Sequence, residues 1–216
     1  GALNYVTKNP AVDTRLRTYL ENIFGTYRYF STYEAFTGSM GPVGYYGYFH
    51  ERQGDGFRYS NSDFEVLSGG MKATANQTGD SRLTLNYDEY HEEHGEPGGL
   101  SLDSTTNPTY SENRSFTTRE HDRFRLERYY GVMQYEKEFS EGILWDTKIF
   151  GGHYRRWSKR QRTSGNAFGN LPSGANASTN DIQEQDFYNI GWESRIRRTY
   201  EWLGEEHTVS VGMLTF

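Results

Sequence analysis

The 216-residue sequence contains no cysteine. That excludes a disulfide framework, a thiolate metal site and a cysteine nucleophile. Proline is scarce, at 5 residues, so extended segments can run far before a breaker interrupts them. No uninterrupted apolar run approaches the roughly 18–20 residues that a membrane helix needs, which excludes transmembrane helices. Positive charge is also in deficit. With 23 Lys and Arg against 29 Asp and Glu, the net charge is −6, the wrong sign for a general nucleic-acid surface. Residues Gly1-Ala2-Leu3-Asn4-Tyr5-Val6 offer neither a charged n-region nor an apolar h-region, and predict a mature or excised segment rather than a leader.

Aromatic residues and glycine are plentiful. Tyr, Phe and Trp make up 16% of the chain and Gly contributes 24 residues, an aromatic content at odds with disorder. Period-2 alternation dominates. Leu83, Leu85 and Tyr87 alternate with Arg82, Thr84, Asn86 and Asp88. Ile143, Trp145, Thr147 and Ile149 alternate with Leu144, Asp146 and Lys148. Tyr188, Ile190, Trp192, Ser194 and Ile196 alternate with Asn189, Gly191, Glu193 and Arg195, and Val209, Val211 and Met213 with Thr208, Ser210 and Gly212. These signals predict about nine strands and no helix.

Alternation alone does not separate a soluble sheet from a membrane barrel, because both have one apolar and one polar face. Strand length and connection rhythm do. The extended patterns near 123–139, 143–158 and 186–202 far exceed the ~5–6 residues usual in a soluble sheet. Short turns fall at Gly41-Pro42-Val43-Gly44, Asn76-Gln77-Thr78-Gly79-Asp80, Ser140-Glu141-Gly142 and Leu203-Gly204-Glu205-Glu206. Between them lie longer polar loops at roughly 53–62, 91–122 and 159–185, the asymmetry of an outer-membrane barrel. The expected fold is therefore all-β, an antiparallel up-and-down meander forming part of a large outer-membrane β-barrel. A soluble secreted glycan-binding module and a smaller passive outer-membrane pore are the alternatives.

The opening stretch Gly1-Ala2-Leu3-Asn4-Tyr5-Val6-Thr7-Lys8 resembles the G-x-(V/L)-N-(F/Y)-V-T-(K/R) segment that ends the plug domain of TonB-dependent outer-membrane receptors. Glu96-Pro97-Gly98-Gly99-Leu100-Ser101 and Thr118-Arg119-Glu120-His121-Asp122-Arg123-Phe124 resemble the P-G-G-L-S and T-R-x-x-D-R-F segments of the ferric-citrate branch of that family. Arg114 and Arg128 fall where that branch has arginines. The resemblance implies that residues 1–10 end a plug domain and that 11–216 begin its barrel. Such a barrel has about 22 strands around a plugged lumen, so the chain would be a fragment, roughly its first two-fifths. The implied partners are a ferric chelate (ferric dicitrate or a similar siderophore), the TonB complex through the N-terminal part, and outer-membrane lipid. No cofactor is implied.

The candidate chemistry is sparse. His91-Glu92-Glu93-His94 spaces its histidines three apart in an expected Gly-flanked loop, whereas the zincin pattern needs four on a helix. It is expected to be a solvated acidic loop tip, and no metal site is assigned. There is no Gly-x-Ser-x-Gly and no P-loop. Glu136, Glu138 and Asp146 are expected to line a wall rather than to form an acid–base pair, and no enzymatic role is assigned. The numerous Tyr and Trp suit aromatic girdles at membrane interfaces.

Arg114, Arg119, Arg123, Arg125 and Arg128 cluster within a short stretch of an acidic chain. Guanidinium forks bind carboxylate oxygens in pairs and stay charged at any working pH. Strand phase sorts them. Tyr129, Met133, Tyr135 and Phe139 suit the lipid face, which places Gln134, Glu136, Glu138 and Arg128 toward the lumen. Arg123 and Arg125 share the lipid-side phase, and Lys148 is expected to pair with acids of the wall. Phase favours Arg128 on the strand, and the family resemblance implies Arg114 and Arg119 in the loop with Pro97, Gly98 and Gly99; these are the expected ligand-binding residues.

Overall fold

A computed structural model describes residues 7–76, 80–102, 108–140, 142–162 and 178–216. Nine strands follow one another in chain order: β1 (Arg17–Phe24), β2 (Phe30–Met40), β3 (Val43–Gly54), β4 (Phe64–Ala75), β5 (Ser81–Gly95), β6 (Arg123–Ser140), β7 (Ile143–Gln161), β8 (Asn180–Trp202) and β9 (Glu205–Thr215). They form one open sheet in which every strand pairs antiparallel with its sequence neighbour. This is the expected meander, with no second layer and no Greek-key crossing among the described residues. The connections at 41–42, 76–80, 141–142 and 203–204 fall at one end, and those at 25–29, 55–63, 96–122 and 162–179 at the other. The four expected short turns therefore fall at one end and the three expected long loops at the other, which also carries the short 25–29 connection.

Three loop boundaries differ from expectation, all because pairing continues into polar sequence. β5 extends to Gly95, which pairs with Arg123, and His94 pairs with Phe64 on its other side. His91-Glu92-Glu93-His94 is therefore strand rather than loop, with His91 and Glu93 on one face and Glu92 and His94 on the other. β7 likewise reaches Gln161 opposite Asn180, which narrows the expected 159–185 loop to 162–179. The first long loop is 55–63 rather than 53–62. A fully paired backbone ladder tolerates charged side chains on both faces once both are wet.

The faces separate by chemistry. Directly opposed residues share a face, so the registers Leu83↔Tyr135↔Thr147↔Ser194 and Leu85↔Met133↔Ile149↔Trp192 define one side. Ile143, Trp145, Ile190 and Ile196 belong to it as well. Arg82↔Glu136↔Asp146↔Arg195 and Gln134↔Lys148↔Glu193 define the other, which also holds Asn86 and is interrupted by Val132 and Phe150. The expected partition holds at every residue named for it.

Exposure is inverted relative to a soluble domain. Val66 is the one buried apolar residue among those described, while Met133 and Ile190 are 46% and 73% exposed. On the opposite face the side chains of Glu136, Asp146 and Glu193 are only 18%, 13% and 26% exposed. Crowded charges and open apolar groups belong to a sheet curved around its charged side. A soluble sandwich would do the reverse. Strands β6, β7 and β8, of 18, 19 and 23 residues, are about twice the ~9–11 residues that cross a bilayer.

Candidate functional site

The charged face is built from the turn end upward. Near the turns three cations on β5–β8 that face inward have an acid, while Arg197 is exposed and has no ion pair among the described residues. Arg82 Nη2 lies 2.6 Å from Glu136, Arg195 Nη2 lies 2.9 Å from Asp146, and Lys148 Nζ lies 2.7 Å from Glu193. Gln134 Nε2 donates to the second Asp146 oxygen at 2.9 Å. Lys148 thus pairs with wall acids as expected. In these rows each of the three cations is matched by an acid.

Residues 7–11 lie on the same face over β2–β4. Lys72 Nζ donates to the Thr7 carbonyl at 3.3 Å, the Lys8 ammonium sits 5.8 Å above the Tyr33 ring, and Ala11 N–H donates to Thr37 Oγ1 at 2.8 Å. Residues 1–6, which carry most of the plug-end resemblance, lie outside the described residues.

At the loop end two connections lock together. Arg58 donates through Nη1 to the Phe116 carbonyl and through Nη2 to the Gly98 carbonyl at 3.3 Å. Tyr59 N–H donates to the Ser115 carbonyl at 2.8 Å, and Thr117 Oγ1 donates to the Ser60 carbonyl at 2.8 Å. Asn61 Nδ2 reaches the carbonyls of Arg119 at 2.9 Å and Asp122 at 2.7 Å. The described parts of loops 55–63 and 96–122 therefore form one latch at the loop end of the sheet. Burial pushes the Arg58 guanidinium below its ordinary value, and burial also pushes the Asp122 carboxyl up, against the pull of the Gln161 N–H and of Arg119.

The Pro-Gly-Gly segment lies inside this latch. The Pro97 carbonyl accepts from the N–H groups of Thr118 at 2.9 Å and Arg119 at 3.1 Å, and the Gly99 carbonyl accepts from Thr118 Oγ1 at 3.2 Å. Gly98 has φ +79°, and a Cβ there would strike Thr118 Oγ1, so glycine is required by both backbone and space. These backbone groups hold the arm that carries Arg119. Arg119 Nη1 itself donates to the Thr118 carbonyl at 2.8 Å.

The other arginines divide as their phase predicts. Arg123 bridges Asp63 at 2.8 Å and Glu93 at 3.2 Å, and Arg125 holds Glu93 at 2.7 Å, so both are neutralised on the apolar-face side. Arg114 is exposed and has no ion pair among the described residues. Arg128 is on the charged face, opposite Tyr90 and Tyr154, with its guanidinium 5.8 Å from the Tyr90 ring centre. Arg119, Arg114 and Arg128 thus belong to the loop-capped end, but the structure does not gather them on one point. No group of metal-ligating side chains is present among the described residues. A depression of about 570 Å³ lies mainly on the apolar face, around Met71, Leu85, Met133, Ile149 and Ile190, away from these cations.

The sequence reading missed Arg58, Asn61, Thr117 and Thr118, because their partners are carbonyls some twenty to sixty residues away. Thr118, only 2% exposed, looked like one more polar loop residue.

An open meander with an apolar outer face, a charged inner face and latched loops at one end defines a segment of a large β-barrel wall. No family model matches the sequence, and no curated protein matches it. Among solved structures, the crystal structure of the ferric citrate transporter FecA in its unliganded form is similar, with a TM-score of 0.69 and 18% identity. The match covers 94% of this chain and 29% of that one. At this identity the likeness is one of fold, and the chain spans less than a third of the transporter's length.

Proposed function

We propose that the chain is part of the wall of a TonB-dependent outer-membrane receptor that takes up a ferric chelate, ferric citrate being the first candidate. The observation carrying this reading is the inside-out sheet. Apolar side chains are open on one face, charges are crowded on the other, and the long arginine-bearing loops collect at one end. The fold likeness to a ferric citrate transporter supports the same reading. Residues 1–10 are assigned to the end of a plug, and the coupling to TonB to the N-terminal part of the receptor.

In this role Arg114, Arg119 and Arg128 attract and hold the carboxylates of the chelate, with Pro97–Gly99 fixing the arm that carries Arg119. The iron is cargo. It arrives already chelated and needs no ligand from the wall. Binding requires charge-assisted contacts that close around the anion and can be released when the plug rearranges.

Equilibrium binding of ferric citrate and of an uncharged ferric chelate by the intact protein in detergent tests the proposal, together with iron uptake in cells with and without TonB. Preferential binding of ferric citrate with TonB-dependent uptake is expected. Uptake indifferent to TonB would point instead to a passive pore.

A further inference from the structure

Arg156 lies on the charged face of β7, opposite Leu126, while Arg128 lies opposite Tyr154. The two arginines are therefore diagonal neighbours across β6 and β7, with backbones about 7–8 Å apart. Neither has an ion pair among the described residues. Like charges so placed repel each other, and sheets normally avoid or neutralise them. The acids that register supplies nearby are engaged elsewhere. Glu92 accepts from Tyr90 at 2.8 Å and lies 3.0 Å from His94 Nδ1, and Asp88 accepts from Tyr48 at 3.3 Å and from Asn86.

Arg156 carries a second anomaly. Its Nε is sealed from solvent and has no hydrogen-bond partner, while the guanidinium lies 5.4 Å from the Phe124 ring centre. Buried donors are nearly always satisfied, so an orphan needs an explanation. Packing against Phe124, and Arg128 against Tyr90, holds two forks in place without using their donors. Toward the turns the inward cations Arg82, Lys148 and Arg195 are all matched by acids. Arg197, on the same face of β8 toward the turns, also has no ion pair among the described residues but is exposed to solvent, so Arg156 is set apart by its sealed, unpartnered donor.

We infer that Arg128 and Arg156 form a two-guanidinium clamp for a carboxylate-bearing anion on the charged face of β6 and β7. Resting on the receptor reading, the clamp grips one free carboxylate of the chelate below the loops, and Arg156 is a specificity-determining residue that the sequence motifs do not mark. The preformed forks suit a planar, bidentate acceptor better than a spherical anion.

The test measures ferric citrate affinity of the intact protein with Arg156→Gln, Arg128→Gln and Arg155→Gln. Arg155 is the next residue on the same strand, faces the opposite side and is paired with Asp186 at 3.1 Å, so it controls for charge and folding. Losses of about ten- to a hundredfold are expected for Arg156→Gln and Arg128→Gln, with less than about threefold for Arg155→Gln. Arg156→Lys keeps the charge but not the fork, and is expected to lose roughly five- to tenfold. It is the variant to read if the glutamine variant misfolds. Wild-type affinity in Arg156→Gln or Arg156→Lys overturns the clamp and leaves the receptor reading standing. If the wild type does not bind ferric citrate, the chelate assignment fails, and the clamp is judged separately by phenylglyoxal labelling. Protection of Arg128 and Arg156, but not Arg155, by iron-free citrate supports it. No protection overturns it.

Discussion

Trp145 and Ser194 are joined across β7 and β8 by a hydrogen bond of 2.9 Å from the indole Nε1 to Oγ. The neighbouring Trp192 mirrors it, donating to Thr147 Oγ1 at 3.2 Å, and Thr147 stands directly opposite Ser194. Both indoles lie on the apolar face, yet both spend their one polar hydrogen inside the sheet. A face that meets water has no need to satisfy its indoles internally. One that meets hydrocarbon does.

Ser194→Ala is therefore expected to destabilise the protein by about 1–2 kcal/mol, since the Trp145 donor loses its acceptor without gaining water. Ser194→Thr is expected to be near neutral. Denaturant midpoints in lipid vesicles check both. Equal stability of Ser194→Ala and the wild type would argue that water reaches this face.

Charge on the two faces is expected to have opposite consequences. Ile190→Arg puts a guanidinium on the apolar face and should cost about 2–4 kcal/mol if it lies near the bilayer midplane. Asn189→Arg, one residue away on the charged face, should cost under about 1 kcal/mol. Folding yield into vesicles and denaturant midpoints separate the cases.

The latch makes two loops one unit. Arg58→Ala removes donors to the Phe116 and Gly98 carbonyls, and is expected to weaken the latch by about 1.5–3 kcal/mol. Hydrogen exchange should then accelerate in 96–122 as well as in 55–63. Acceleration confined to 55–63 would show that the loops open independently.

Asp122 adds a pH dependence to the same latch. Burial raises its folded-state pKa above the ordinary ~3.9 of an aspartate. A raised carboxyl pKa means that the folded state binds the proton more tightly. Its stabilising contribution is complete below the unfolded value and is lost as pH rises through the folded one. Exchange in 96–122 should therefore quicken as pH climbs above about 4, after correction for intrinsic rates. In Asp122→Asn this component should vanish. A rise in protection over the same interval would contradict the assignment of burial as the dominant cause.

Much of the wall was legible in the sequence because its signal is local. Alternation at Leu83–Asp88 and Ile143–Ile149 fixes each strand's faces before any partner is known, and the register then brings Arg82 to Glu136 and Arg195 to Asp146. The strand ends were not legible. His91-Glu92-Glu93-His94 has polar residues in both phases, so nothing in its pattern separates paired strand from loop. The site was legible in half. The phase of Arg128 followed from Met133 and Tyr135, but Arg156 sits beside Arg155 in a run of basic residues, where only cross-strand pairing tells matched from unmatched charge. Arg58 was hidden for the same reason, since its partners are backbone carbonyls of a distant loop.

The inside-out wall is tested most directly by spin labels at single cysteines, for which this sequence has no cysteine background. Labels go on the adjacent pairs Leu85 and Asn86, Met133 and Gln134, and Ile190 and Asn189, with the intact protein in lipid vesicles. Collision with oxygen, which concentrates in hydrocarbon, is expected to dominate at Leu85, Met133 and Ile190. Collision with a water-soluble nickel chelate is expected to dominate at Asn86, Gln134 and Asn189. Nickel access at all six positions, or the reverse alternation, would contradict a wall with lipid outside and water within.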